Sequence, residues 1–226
     1  MAEIFDDWPD KYDQWFSTPL GKLVKQTESE LLLQMASPRP GERVLDAGCG
    51  TGLFTLDLLC AGAQVVGLEL SPPMLRRAGQ RLAGYAFQMV RGNMSHLPFA
   101  DHAFHKAVSV TAIEFIEDAR GAIAELFRVT RPGGRIVVAT LNSLSPWAAR
   151  RKEAAEQGHS IFRHVRFRSP DELEALAPIA GVTQTAIHFQ KGDEPEVARG
   201  VEDDGRSKGL KTGAFLVARW EKPASA

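Results

Sequence analysis

Residues 43–52 read Arg43-Val44-Leu45-Asp46-Ala47-Gly48-Cys49-Gly50-Thr51-Gly52, an apolar run that ends in a carboxylate and then sets glycine at every second position. A buried strand ending near Asp46 and a helix opening just past Gly52 fit this pattern. Glycine lacks a Cβ, so such a turn can take strained angles and let a nucleotide-type ligand lie on the backbone. The spacing departs from the dinucleotide fingerprint G-x-G-x-x-G, whose third glycine falls where this chain has Leu53. Gln64-Val65-Val66-Gly67-Leu68-Glu69 reads as the next strand, and Glu69 follows Gly48 by about 20 residues, the interval at which an acid meets ribose hydroxyls. Ser71-Pro72-Pro73 then opens a helix, with Ser71 as its cap and the prolines in its first turn.

Outward from this turn, strand-like and helical patterns alternate. Strands are expected at about 43–47, 64–69, 86–90, 106–110 and 134–141, and helices near 52–61, 72–82 and 119–129. That alternation predicts a parallel sheet covered by helices on both faces. Arg131-Pro132-Gly133-Gly134 is expected to break the chain between the third helix and the fifth strand. Residues 10 to 35 read as helical, set off from the first strand by Pro38 and Pro40. Near the end, Thr183 to Phe189 and Ala214 to Trp220 form two β-rich runs with no helix expected between them, the pattern of a hairpin-like antiparallel pair.

Composition narrows the function. The chain has 226 residues, 44% of them hydrophobic, enough for one well-buried domain. A formal net charge of -1 supplies no global basic field for nucleic acid. Cys49 and Cys60 are the only cysteines and lack metal-ligand spacing, so no metal is expected and a reducing compartment suits both. The acidic start has no apolar h-region, and no apolar run is long enough to span a bilayer, so no transmembrane segment is expected. A cytoplasmic protein is the expectation.

From about residue 36 to 145 the chain resembles the small-molecule class I S-adenosylmethionine (SAM) methyltransferases and is similar to their quinone-biosynthesis branch. The motif D-x-G-x-G-x-G carries the resemblance, with Leu97-Pro98-Phe99 and Phe104-His105-Lys106-Ala107-Val108 following in the family's order. The resemblance implies an α/β fold, Rossmann-like, with a seven-stranded mostly parallel sheet in the order 3-2-1-4-5-7-6, the last strand antiparallel and helices on both faces. It implies methyl transfer from SAM to a small organic acceptor by in-line displacement, releasing S-adenosylhomocysteine. It places Asp46 near the methionine amino group, Gly48, Cys49 and Gly50 at backbone contacts, and Gly52 at the helix start facing that moiety. Glu69 would accept the ribose hydroxyls, Leu70 and Met74 would pack on adenine, and Asn93 and Met94 would meet its edge. Thr111 would line the cavity beside the sulfonium. His105 stands where the family has Asp, at the amino end of a strand, and reads as structural. Glu114, Phe115 and Glu117 read as helix surface and core.

On the acceptor side two segments can reach the carboxyl edge of the sheet. The amino-terminal stretch Trp8 to Phe16 holds Tyr12, Trp15 and Phe16, which can close a pocket and exclude water. The stretch after the fifth strand, Leu141-Asn142-Ser143, runs into a basic segment with Arg150, Arg151, Lys152, Arg163, Arg166 and Arg168. That segment reads either as a positive lid for an anionic acceptor, with Asn142 and Arg163 as contacts, or as a solvated helix face. The acidic run from Asp193 to Asp204 offers the lid a partner. Tyr12, His159 and His164 are the candidates for catalysis, with His96, His102, His105 and His188 worse placed. A strong leaving group can make a base unnecessary, because alignment alone supplies about 7–11 kcal/mol. The expected organisation is a helical cap over 1–36 and a SAM-binding domain over 37–226 with the basic lid around 145–168. Phospholipid head-group methylation and a non-catalytic SAM-binding role remain alternatives. Nucleic-acid methylation is disfavoured, since Thr111-Ala112-Ile113-Glu114 stands where base methylation needs Asn/Asp-Pro-Pro-aromatic.

Overall fold

The computed structural model describes residues 5–6, 8–156 and 161–224. Strands β1 (Arg43–Ala47), β2 (Gln64–Glu69), β3 (Phe87–Arg91), β4 (Phe104–Val110), β5 (Thr130–Leu141), β6 (Val182–Ala186) and β7 (Phe215–Glu221) form one sheet. Its order is 3-2-1-4-5-7-6, with β7 antiparallel to both neighbours and the other pairings parallel. The helices are α1 (Pro9–Ser17), α2 (Pro19–Ala36), α3 (Thr55–Cys60), α4 (Pro72–Arg81), α5 (Ala119–Val129), α6 (Pro146–Glu156), α7 (Pro170–Glu174) and α8 (Pro195–Ser207). β1 pairs with β2 on one side and β4 on the other, so the order reverses there and a crevice opens at the carboxyl edge.

Strand alternation divides the core into two layers. Val44, Val65, Val108, Val137 and Val217 face the layer holding Leu31, Leu32 and Met35 of α2. Their neighbours Leu45, Val66, Ala107, Ile136 and Leu216 face the other layer, against Ile123 and Leu126 of α5. Each fully buried aliphatic side chain contributes about 1.5–3 kcal/mol.

Three expectations are corrected. The helical stretch from 10 to 35 is two helices, because Pro19 forces Thr18 into an extended conformation; Thr18 then caps α2 by accepting from the Gly21 N–H at 3.0 Å. Arg131-Pro132-Gly133-Gly134 does not separate α5 from β5 but lies inside β5. The ladder jumps from Phe104↔Thr130 to Lys106↔Arg135, and the intervening residues bulge, with Gly133 at φ 70. Pro132 therefore sits where no ladder hydrogen bond is needed. Finally, β6 and β7 are joined through α8, a helix of 13 residues that hydropathy missed. Its Ala198, Glu202 and Gly205 are buried, and Glu202 accepts from the His188 backbone N–H at 2.7 Å.

Candidate active site

The glycine turn follows β1 with Gly48, Gly50 and Gly52 all at positive φ, 81, 54 and 78. The tight approach needs glycine at Gly48, where a Cβ would come within 2.5 Å of the Ala112 Cβ. The Gly48 and Cys49 N–H groups both donate to the Leu68 carbonyl, at 2.7 and 3.1 Å. The Gly50 N–H donates to Glu69 Oε2 at 3.0 Å, while Glu69 Oε1 accepts from Leu70 and Ser71 N–H at 2.8 and 2.9 Å. The turn thus spends its donors on the protein, and space above Gly50 stays open. Gly52 does not line the cavity; a Cβ there would strike Leu82 and Ala78, so it packs against α4.

Asp46 lies at the end of β1, 2% exposed. Its Oδ2 accepts from the Thr55 hydroxyl at 2.6 Å, and its Oδ1 is buried without a partner. Burial raises its pKa to about 7 against the Thr55 hydrogen bond, helped by the Glu69 charge. Burial likewise holds Glu69 above the ordinary carboxylate range and puts the Cys49 thiol well above its own, which makes that thiol unreactive.

These groups open into a cavity of about 1130 Å³. That exceeds the roughly 300–1,000 Å³ of a typical single-ligand site. Asp46, Gly48, Cys49, Gly50, Glu69, Leu70, Met74, Asn93, Met94 and Thr111 all line it, as do Tyr12, Trp15 and Phe16 of α1. Asn93 turns its Oδ1 to the Ser95 N–H at 2.9 Å. Thr111, at φ 47, is held by its N–H to the Ala139 carbonyl and lies beside the Tyr12 side chain. Burial and the nearby Glu28 raise the Tyr12 phenol pKa beyond its ordinary value.

The amino-terminal helix is clamped to the glycine turn. Asp13 accepts from the Thr51 hydroxyl at 2.9 Å and pairs with Arg81 at 2.8 Å, while Arg81 also donates to the Thr51 hydroxyl at 2.6 Å. Asp10 pairs with Arg77 beyond them. Phe5 stacks edge-on against Phe115, with ring centroids 4.8 Å apart.

Several expected acceptor residues are elsewhere. Asn142 is fully buried and structural, its amide donating to the Lys211 and Gly213 carbonyls at 2.8 and 2.7 Å. Arg163 and His164 are exposed on a 3-10 turn and do not line the cavity, so proximity in sequence to the lid misplaced them. His159 lies outside the described residues. His96, judged worse placed, does line the cavity, although it is exposed. Of the six basic residues only Arg150 and Arg151 reach it; Arg168 is buried, donating to the Ile113 and Arg166 carbonyls, each at 3.3 Å. The acidic run forms ion pairs through Glu202 and Asp204 with His188, Arg206 and Lys208 rather than with the lid.

Sequence reasoning missed Glu28 and gave Glu114 no place at the site. Both are buried, at 8% and 2% exposure, and both line the cavity. Burial raises Glu28 to about 8, against Arg151 and Lys25, and Glu114 to about 7, against a hydrogen bond from Thr140 at 3.1 Å. Glu114, expected among helix surface and core, is buried and lines the chamber, with its Oε1 left without a partner. The offset of three residues from Thr111 was the one available signal. Among the described residues no cluster of three or more His, Cys, Asp or Glu is arranged to hold a metal ion, and no helix is long and apolar enough to cross a membrane.

Residues 45–138 match a family model described as a methyltransferase domain. A malonyl-[acyl-carrier protein] O-methyltransferase of Serratia marcescens is 33% identical over 187 residues, 73% of this chain and 72% of the relative. A demethylmenaquinone methyltransferase of Beutenbergia cavernae is 36% identical over 151 residues, 66% of this chain and 60% of the relative. Among solved structures, a SAM-dependent methyltransferase from Thermotoga maritima superposes with a TM-score of 0.74 at 24% identity, covering 98% of this chain and 100% of its own. That last likeness is one of fold.

Proposed function

The chain belongs to the class I SAM-dependent methyltransferases, and from that membership we propose that it moves a methyl group onto a small organic acceptor seated beside SAM in the cavity at the carboxyl edge of β1, β2 and β4. The observation that carries this reading is the buried Asp46 Oδ1, unpartnered at the mouth of an open glycine turn. An ammonium donates where that oxygen accepts, and pairing restores the charge that burial suppresses.

The residues fit the cofactor along its length. Asp46 would hold the amino group, Glu69 would accept the ribose hydroxyls, Leu70 and Met74 would pack on the adenine, and Asn93 and Met94 would meet its edge. Thr111 would line the space for the sulfur. Bound SAM supplies an electrophilic methyl on a good leaving group. What remains for the protein is to orient the acceptor, exclude water and accept a proton where the acceptor loses one. Tyr12, Trp15 and Phe16 form a cap over the chamber and α6 forms its lid. Gly52 keeps a packing role, and Asn142, Arg163 and His164 are not carried forward as acceptor or catalytic groups.

The reading is tested with tritiated-methyl SAM, the full chain and a small-molecule extract. Label is expected in a small-molecule product, with S-adenosylhomocysteine formed in equal amount. Label confined to added nucleic acid or protein would contradict it.

A further inference from the structure

Two residues that line the chamber near Thr111 each carry a buried polar atom without a partner. Glu114 fixes one oxygen on the Thr140 hydroxyl, and its Oε1 is buried and unsatisfied. Arg151 places its guanidinium carbon 5.3 Å from the Trp147 ring centroid and 5.2 Å from that of Phe162, and its Nη1 is buried and unsatisfied. Both side chains line the cavity, and apolar and aromatic groups such as Trp15, Phe16, Phe54 and Leu141 make up much of the remaining wall. A buried donor and a buried acceptor left open in one apolar chamber define a complementary ligand group.

We propose that the acceptor presents a hydroxyl group on an apolar body, held between the Arg151 guanidinium and the Glu114 carboxylate, and that Glu114 takes the proton this hydroxyl loses on methylation. A hydroxyl donates one hydrogen bond and accepts others, so it satisfies both open atoms at once. An ammonium only donates and meets the Arg151 charge. A carboxylate only accepts and meets the ionised Glu114. The inference rests on the methyl-transfer reading and names the class of acceptor at that same site.

The step balances. The acceptor's O–H bond breaks and its proton passes to Glu114. An oxygen lone pair forms the O–CH3 bond, and the pair of the breaking C–S bond stays on sulfur. Glu114 then returns its proton to solvent after product leaves. The charged and titratable groups facing it are Arg168 from the segment after the 3-10 turn, Arg151 from α6, Tyr12 from α1 and Glu28 from α2. Glu28 also faces Lys25, and burial keeps it protonated to about pH 8. Burial brings Glu114 to about 7, where a base works near neutrality.

The test uses the full chain saturated with S-adenosylhomocysteine and three probes of one shape: 2-naphthol, 2-naphthoate and 2-(aminomethyl)naphthalene. Calorimetry is expected to rank the naphthol at least tenfold tighter than either charged probe. Its affinity should rise with pH through about 7, as Glu114 ionises, and lose that dependence in Glu114→Gln. Arg151→Gln should weaken the naphthol at least fivefold while S-adenosylhomocysteine affinity holds. Tighter binding of the acid or the amine, a naphthol affinity that ignores pH, or binding of none of the three overturns the proposal. The wild-type ranking and its pH profile decide the matter even where a variant does not fold. Failure of S-adenosylhomocysteine itself to bind is read in the first titration, and it overturns the methyl-transfer reading together with this one.

Discussion

Glu28, Asp46 and Glu114 are three carboxyls buried around one cavity, and their titration sets how the ligand-free protein responds to pH. Each is raised from an ordinary value near 4, to about 8, 7 and 7. Between roughly pH 4.5 and 8 the folded chain keeps protons that the unfolded chain has lost, so stability falls as pH rises across that interval. Glu28→Gln removes the largest of these penalties. Its melting temperature is expected to exceed wild type at pH 8 by roughly 2–4 °C for each kcal/mol recovered, and to match it near pH 4. An equal pH slope in both proteins would show that Glu28 is not buried as an acid. Legibility differs among these residues for a physical reason. Asp46 and Glu69 stand at fixed offsets from a glycine turn, so sequence alone locates them. Glu28 stands among Lys25, Gln26 and Glu30 on a helix whose polar face reads as solvated. Only the closure of α1 and α6 over it makes it interior.

At the scale of elements, the link that matters most is α1 to the glycine turn. Asp13 is its centre, joining Thr51, Arg81 and, at 3.9 Å, Arg77. Partly buried pairs of this kind lose more when one partner is deleted than exposed pairs do. Asp13→Ala is expected to weaken S-adenosylhomocysteine binding about tenfold, because α1 then no longer holds Tyr12 over Thr111. Tyr12→Phe should lower turnover while leaving the melting temperature within about 2 °C. A large melting shift with normal kinetics in Tyr12→Phe would assign that residue to packing instead. Most elements were readable from their patterning, since β1, β2 and β4 each hold a short apolar stretch with turn residues beyond their ends. α8 was not, because Pro195 to Ser207 carries Gly200, Gly205 and four acids and has little intrinsic helicity. What forms it is tertiary: a Cβ at Gly205 would come within 2.4 Å of the His188 ring, and Glu202 holds Arg206 at 2.8 Å. The Arg131–Gly134 bulge escaped for a related reason, as punctuation marks a bend in the chain but not whether the ladder resumes on the same strand.

For the whole molecule, a doubly wound sheet places one large cavity at its switch point, and the two segments that close it come from before β1 and after β5. The amino-terminal helices and the stretch after β5 share no motif, which is why the cofactor side of the cavity was legible and the acceptor side was not. The cofactor side rests on backbone geometry that only a few spacings can supply. The acceptor side rests on where single side chains of α2, α6 and the turn after β4 converge, and that convergence exists only in the folded chain. The cofactor site is therefore the claim on which the acceptor reading depends, and calorimetric titration of S-adenosylhomocysteine into the wild-type chain and into Glu69→Ala tests it most directly. One molecule is expected to bind per wild-type chain, with an affinity reduced more than tenfold in Glu69→Ala through loss of a buried contact worth about 1–3 kcal/mol. No binding to the wild-type chain, or equal affinity in the two proteins, would contradict it.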